Sequence, residues 1–207
     1  VKNCFFVKQN ASVQGAAGIY ATKSNNSIFL NNTINSTGNY SFGVQIISSN
    51  FTNVTLNALN ISGNFSYGIG LGLSGLNNIT GNNISTQGGN DGYGINLTGS
   101  LYNDVRGNNV TTRGAGAISN AWGIYLTASS NNSVVNNTVV TNGSTSQNYG
   151  VYILTSVGNR VEANTIGTNG TSDNIGIRLQ TSANNNTVAN NTIRTGGSAG
   201  SNFGIYL

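Results

Sequence analysis

Four acidic side chains, Asp91, Asp104, Glu162 and Asp173, are all the carboxylates this chain has for acid–base or metal chemistry, and it contains no His. A glycosidase pair needs its two carboxyls about 5–9.5 Å apart, and a calcium site needs several oxygen ligands converging. Asp91 and Asp173 each follow an Asn, Asn82 or Asn164, by nine residues. They therefore share a structural position but belong to repeats three apart, roughly 14 Å at strand spacing. Asp104 and Glu162 fall at different positions of their repeats. The run Gly88-Gly89-Asn90-Asp91-Gly92 is composed like a calcium-binding turn, but it occurs once, and calcium rolls need adjacent copies. The expectation is a chain with no catalytic constellation, metal set or cofactor, and so not an enzyme.

Two other residue classes bear on chemistry. Asn-x-Ser/Thr triplets number nineteen, about twice what random placement gives, and each is a glycosylation acceptor if it lies on an exported surface. The sites expected to be free of packing duties are Asn39, Asn64, Asn142 and Asn169, taken as loop residues. Tyr125, Tyr152 and Tyr206 recur at one position and are the candidate carbohydrate contacts, since an aromatic ring suits a sugar face. Cys4 is the single cysteine and supports no disulfide within the chain.

These residues are positioned by a repeat. Gly18, Gly43, Gly68, Gly94, Gly123, Gly150, Gly176 and Gly204 each follow an aromatic or apolar residue and precede Ile or Val, at spacings of 25, 25, 26, 29, 27, 26 and 28 residues. Fourteen residues after each Gly, or fifteen in the last repeat, stands Asn32, Asn57, Asn82, Asn108, Asn137, Asn164 or Asn191. Apolar residues sit three before and two after each Asn, and a second Gly follows six after it. Apolar residues two apart in short runs bounded by Gly, Asn and Ser are strands. A period this short leaves no room for a βαβ unit and implies a solenoid. Stacking strand on strand gives a right-handed parallel β-helix of about seven coils, in one domain spanning residues 1–207. The absence of Pro suits strands whose N–H groups are all engaged.

The columns have expected roles. The Asn column forms a ladder in which each carboxamide donates to the next coil and accepts from the one before. Ser24, Ser49, Ser74, Ser100, Ser129, Ser156 and Ser182 form a second, structural column at the turns. Counting a strict two-residue alternation through the Gly puts Phe42, Tyr67, Tyr93, Trp122, Tyr149 and Phe203 inward, with the Ile and Leu columns, as an aromatic core stack. Tyr125, Tyr152 and Tyr206 then face outward. At Cys4 the alternation favours Asn3 as the ladder residue of the first coil. The longest variable stretch is Ala115 to Trp122, and insertions on one face often mark binding.

The short Asn-rich segments, such as Asn132-Ser133-Val134-Val135-Asn136-Asn137-Thr138-Val139, resemble those of pectin-lyase-like right-handed β-helices found in bacterial and archaeal surface proteins. That resemblance implies a fold shared by polysaccharide lyases, hydrolases, adhesins and surface-layer components. Charged residues make up 6% of the chain, and its net charge of +4 comes from scattered Lys and Arg. No basic stripe for nucleic acid and no membrane span results. Neither end carries a polar cap, so the expected partners are further coils or an end-to-end copy, together with glycans. The leading expectation is a glycosylated extracellular or cell-surface rod, structural or adhesive. The alternative is a carbohydrate-binding or polysaccharide-degrading β-helix. Glycopeptide mass spectrometry of native material is expected to find glycans at Asn39, Asn64, Asn142 and Asn169 in preference to Asn31, Asn136 and Asn190, which precede ladder residues; the reverse order of occupancy would contradict that assignment.

Overall fold

The computed structural model describes residues 1–8, 16–89, 91–114, 120–143 and 146–207. Three parallel sheets wrap one core. An eight-stranded sheet, here the Gly sheet, runs from Ala17–Thr22 to Phe203–Tyr206 and contains every repeat Gly. A seven-stranded short sheet, of three-residue strands, runs from Ile28–Leu30 to Thr187–Ala189. The third sheet, again of eight strands, runs from Phe5–Lys8 to Thr192–Gly197. Each turn of chain visits the three in that order, so like residues stack coil on coil and the fold is a parallel β-helix with Asn, Ser and aromatic ladders. Of the stretch Ala115 to Trp122 only Asn120–Trp122 fall within the described residues, and Asn90 of the Gly88–Gly92 run also lies outside them.

One close approach fixes the Gly column. A Cβ built on Gly123 would lie 2.5 Å from the carbonyl oxygen of Gly150 and 2.1 Å from a Val139 methyl carbon; at Gly94 the matching distances are 2.6 Å to Gly123 and 2.1 Å to Val110. The Gly therefore points inward. So does the residue after it, since Ile69, Ile95, Ile124, Val151 and Ile177 are fully buried. Two consecutive inward residues break the strand's alternation, and the register accordingly pairs Tyr93 with Trp122 and Ile95 with Ile124 on either side of the Gly. The aromatic residue before each Gly is thereby turned outward. This corrects the inward placement expected from uninterrupted alternation.

The seven-member Asn ladder is present as expected. Asn137 Nδ2 donates to Asn164 Oδ1 at 3.0 Å and to the Val105 carbonyl at 2.9 Å, while its own Oδ1 accepts from the backbone N–H and Nδ2 of Asn108 at 2.9 and 3.0 Å. A second buried ladder, not anticipated, joins Asn77, Asn103, Asn132, Asn159 and Asn186 by the same carboxamide bonds of 3.0–3.1 Å. A third joins Asn148, Asn174 and Asn202. In the Ser column the backbone N–H of each of Ser24, Ser49, Ser74, Ser100 and Ser129 donates to the hydroxyl one coil on, ending at Ser156. Ser182 is exposed and adjoins the one-residue insertion that lengthens the last repeat.

The first coil is shifted by one residue from the expected register. Cys4, not Asn3, stands at the ladder position: its N–H donates to Asn32 Oδ1 at 3.1 Å, and Phe5 and Phe6 pair with Thr33 and Ile34. Phe6 consequently packs on the core and Phe5 is exposed. Asn3 instead begins a bend column, accepting from Asn31 Nδ2 at 3.0 Å.

Left-handed residues make the bends. One column includes Asn26, Phe51, Leu76, Tyr102 and Asn131 at φ 56–57°, and another includes Asn31, Leu56, Asn136 and Asn190 at φ 52–56°. Asn accepts this conformation readily; Phe51, Leu56, Leu76 and Tyr102 do so at about 1–2 kcal/mol each, and all four are exposed. Inside, Thr86, Thr112, Thr141 and Thr168 stack in register with hydroxyls buried and unpartnered. Two substitutions should thus have opposite signs in chemical denaturation. Asn137→Ala orphans donors on Asn108 and the Val105 carbonyl and should cost about 3 kcal/mol or more, whereas Thr141→Val removes an unsatisfied hydroxyl and should stabilise by about 1 kcal/mol.

Candidate functional site

The inversion at each Gly brings two aromatic columns onto one outer surface. Before the Gly stand Phe42, Tyr67, Tyr93, Trp122 and Tyr149, with neighbouring ring centroids 4.7, 4.9, 4.7 and 5.9 Å apart. Two residues after it stand Tyr125 and Tyr152, stacked at 5.1 Å. Tyr125 meets Trp122 edge-on at 4.7 Å, and Tyr152 meets Trp122 and Tyr149 at 5.0 and 5.3 Å. The rings form a wall in which Phe42, Tyr67, Tyr93, Trp122 and Tyr125 are half-buried and Tyr149 and Tyr152 are buried among their neighbours. Tyr152 OH donates to Gln180 Oε1 at 2.6 Å and Trp122 Nε1 to the Gln147 carbonyl at 3.1 Å.

Arg178 closes this wall. It occupies the same column as Tyr125, Tyr152 and Tyr206. Its guanidinium carbon lies 4.9, 5.5 and 5.6 Å from the ring centroids of Tyr149, Tyr152 and Tyr206, cation–π distances. Nη1 donates to Tyr149 OH. Nε is buried and has no acceptor. Among the described residues the ion pairs are Arg106–Asp104 and Arg160–Glu162, so no carboxylate neutralises Arg178. Beside it opens a cavity of about 290 Å³ lined by Tyr149, Asp173, Arg178, Phe203 and Tyr206 among others. Burial pushes the Tyr149 and Tyr152 phenols up from 10.0, against the opposing pull of Arg178; Tyr67 and Tyr93 are raised by burial and then by Asp91.

The remaining sequence candidates do not join this site. Asp91 accepts from Asn120 Nδ2 at 2.8 Å, and Asp104 and Glu162 lie on the short sheet. Asn39 and Asn64 lie in a bend, with Asn39 Oδ1 accepting from the Asn64 N–H at 3.2 Å. Asn142 and Asn169 are corrected from loop to strand: the strands Thr138–Gly143 and Thr165–Gly170 continue through the second Gly, and the two Asn pair on adjacent coils. Arg178 itself was missed. Its signal was a lone cation in an otherwise tyrosine-rich column.

Residues 43–207 match the family described as "Right handed beta helix region", and the chain belongs to that family, which also fixes the hand of its coils. No curated protein matches the chain in sequence. Among solved structures it is similar to that of a mutant of the periplasmic alginate epimerase AlgG, at 18% identity and a TM-score of 0.51, over 86% of this chain and 48% of that one. A second AlgG structure aligns at 15% identity and a TM-score of 0.41, over 80% and 51%. The chain thus spans about half the length of these structures. The expectation that it is not an enzyme is overturned: its fold is that of a solved polysaccharide-modifying enzyme. That expectation looked for clustered acids, a calcium set or His, whereas the ionisable groups assembled here are Arg178, Asp173, Tyr149 and Tyr206 around a cavity.

The four raised tyrosines predict the alkaline limit of the fold. A phenol whose folded pKa exceeds its unfolded value near 10 contributes stability that is intact below about pH 10 and is lost as pH rises further. Thermal midpoints should stay level from about pH 6 to 9 and fall above about pH 10; midpoints that hold level to about pH 12 would contradict this.

Proposed function

We propose that the chain acts on an acidic polysaccharide, which lies across the ring wall of the Gly sheet and places a sugar carboxylate on Arg178. The observation that carries this is the guanidinium held among three tyrosine rings with a buried, unpartnered Nε and in no ion pair, Asp173 lying in the same cavity but outside salt-bridge contact. A carboxylate supplies two acceptors in the plane a guanidinium fork requires. Trp122 and Tyr125, half-buried in the stack, offer the apolar edges of their rings to the neighbouring sugars.

The same cavity supports a reaction class. Pairing a carboxylate with Arg178 acidifies the hydrogen on the adjacent carbon, since charge that develops there is delocalised onto a neutralised group. Asp173 lines the cavity as a proton acceptor, and Tyr149, kept protonated by burial, as a donor. Removal of that proton and delivery of one to the opposite face of the same carbon is epimerisation; removal followed by cleavage of the bond to the β-oxygen, with the donor protonating that oxygen as it leaves, is elimination. A polymeric substrate and the abundance of sequons fit a setting outside the cytoplasm, extracellular or periplasmic.

Calorimetric titration with a polyuronate and with a neutral polysaccharide of equal length tests the reading. The polyuronate should bind more tightly, with affinity level from about pH 5 to 9 and lost below about pH 4 as its carboxylates protonate. Arg178→Gln should weaken it about tenfold or more, a loss of about 1.4 kcal/mol, in a variant whose far-UV circular dichroism remains that of the folded chain. Equal binding of both polymers, unaffected by Arg178→Gln and by Tyr125→Ala with Tyr152→Ala, would remove the proposal.

A further inference from the structure

The outer face of the short sheet belongs neither to the core nor to the ring wall. In each three-residue strand the middle side chain is inward, as with Val54, Ile79, Val105, Val134 and Val161, and the other two lie on the opposite face, where Val135 is itself buried. Two of the chain's four acids are on this face. Asp104 pairs with Arg106 at 3.1 Å on one strand, and Arg160 pairs with Glu162 two strands on. The register stacks Asp104, Ser133 and Arg160 in one column and Arg106, Val135 and Glu162 in the other. Charge order along the strand is therefore reversed between the two pairs.

The bends that border this face are uneven. On the entering side stand Phe51, Leu76 and Tyr102, exposed by 53, 51 and 58% and held at φ 57°. On the leaving side the same coils have Leu56, exposed by 58%, then Gly81 and Gly107. A Cβ on Gly107 would meet nothing within 4 Å, so the surface there is open, while one on Gly81 would meet a Leu56 methyl at 3.1 Å, so that apolar side chain covers the position. Bulky apolar groups on one border thus lie level with an apolar group or a gap on the other.

We propose that this face binds a second copy of the chain about a two-fold axis parallel to the coil axis. Such an axis lays each coil on its counterpart and exchanges the two outer columns and the two borders. Ile28 then meets the second copy's Leu30, Asp104 its Arg106, and Arg160 its Glu162. Phe51 meets Leu56, while Leu76 and Tyr102 settle over Gly81 and Gly107. Each member of the two ion pairs faces its opposite, and Phe51, Leu76 and Tyr102 each face an apolar group or open space. A two-fold axis along the strands would also match the charges, Asp104 to Arg160 and Arg106 to Glu162. It would leave Ile28, Phe51 and Leu56 overhanging, because two strands lie on one side of Ser133–Val135 and four on the other. Five residues of strand and bend, roughly 17 Å, by seven coils, roughly 34 Å, give a total near 1,100 Å², about the lower bound for a specific interface.

Sedimentation of the intact chain, with far-UV circular dichroism to verify folding of each variant, tests the proposal. The chain should form a dimer. Asp104→Arg should weaken it tenfold or more by opposing like charges, and adding Arg106→Asp should restore it, because the parallel arrangement pairs those two positions with each other. Leu76→Asp should weaken it independently of the ion pairs. A monomer at all concentrations, a dimer indifferent to both Asp104→Arg and Leu76→Asp, or failure of the double exchange to restore association would each overturn the arrangement.

Discussion

There is no room for a side chain where one coil's Gly carbonyl approaches the Gly of the coil before, and the rest of the structure follows from that contact. At Gly43, Gly68, Gly94, Gly123, Gly150 and Gly176 a Cβ would lie 2.5–2.6 Å from the next Gly oxygen, well inside van der Waals contact. The strand turns this position and its successor inward together, and the aromatic residue before it outward. Core closure and the ring wall are therefore two results of one backbone constraint. A residue larger than Gly would lose both at once.

In-register stacking explains the unusual composition. Each column repeats at about 4.8 Å, so a charged column would set like charges directly above one another. Polar duties fall instead to Asn, Ser and Thr, which both donate and accept and gain from stacking. Three Asn ladders and one Ser ladder serve the bends on this principle. Charge is admitted singly, as at Arg178, or with signs alternating across coils, as in the Asp104, Ser133, Arg160 column. The scarcity of carboxylates is thus a property of the solenoid, and says little about chemistry at its surface.

Much of the fold was legible because stacking converts structure into period. Gly123 and Asn137 are each found at a fixed offset in every repeat, and both stand where that predicts. The ladder from Asn77 to Asn186 was equally periodic, nine or ten residues after the Gly, but Ser27 and Thr52 replace Asn in the first two coils and disguise it. Trp122 was misplaced for a different reason: alternation is a property of regular strand, and the Gly contact interrupts it. Cys4 shows another limit, since it stands where the other coils have Asn and so disguises the register of its own coil. The site was the least legible part, because Arg178 occurs once and a period cannot announce a singular residue. The proposed chemistry lies where the repeat is broken.

Trp122 is the only tryptophan, so its fluorescence reports directly on the outward ring wall. Titration of the chain with a polyuronate and, separately, with acrylamide is the most direct test that the wall faces solvent and receives a polysaccharide. The account predicts an emission that acrylamide quenches and that the polymer shifts and protects. A blue-shifted emission unresponsive to both would place the ring in the core and contradict it.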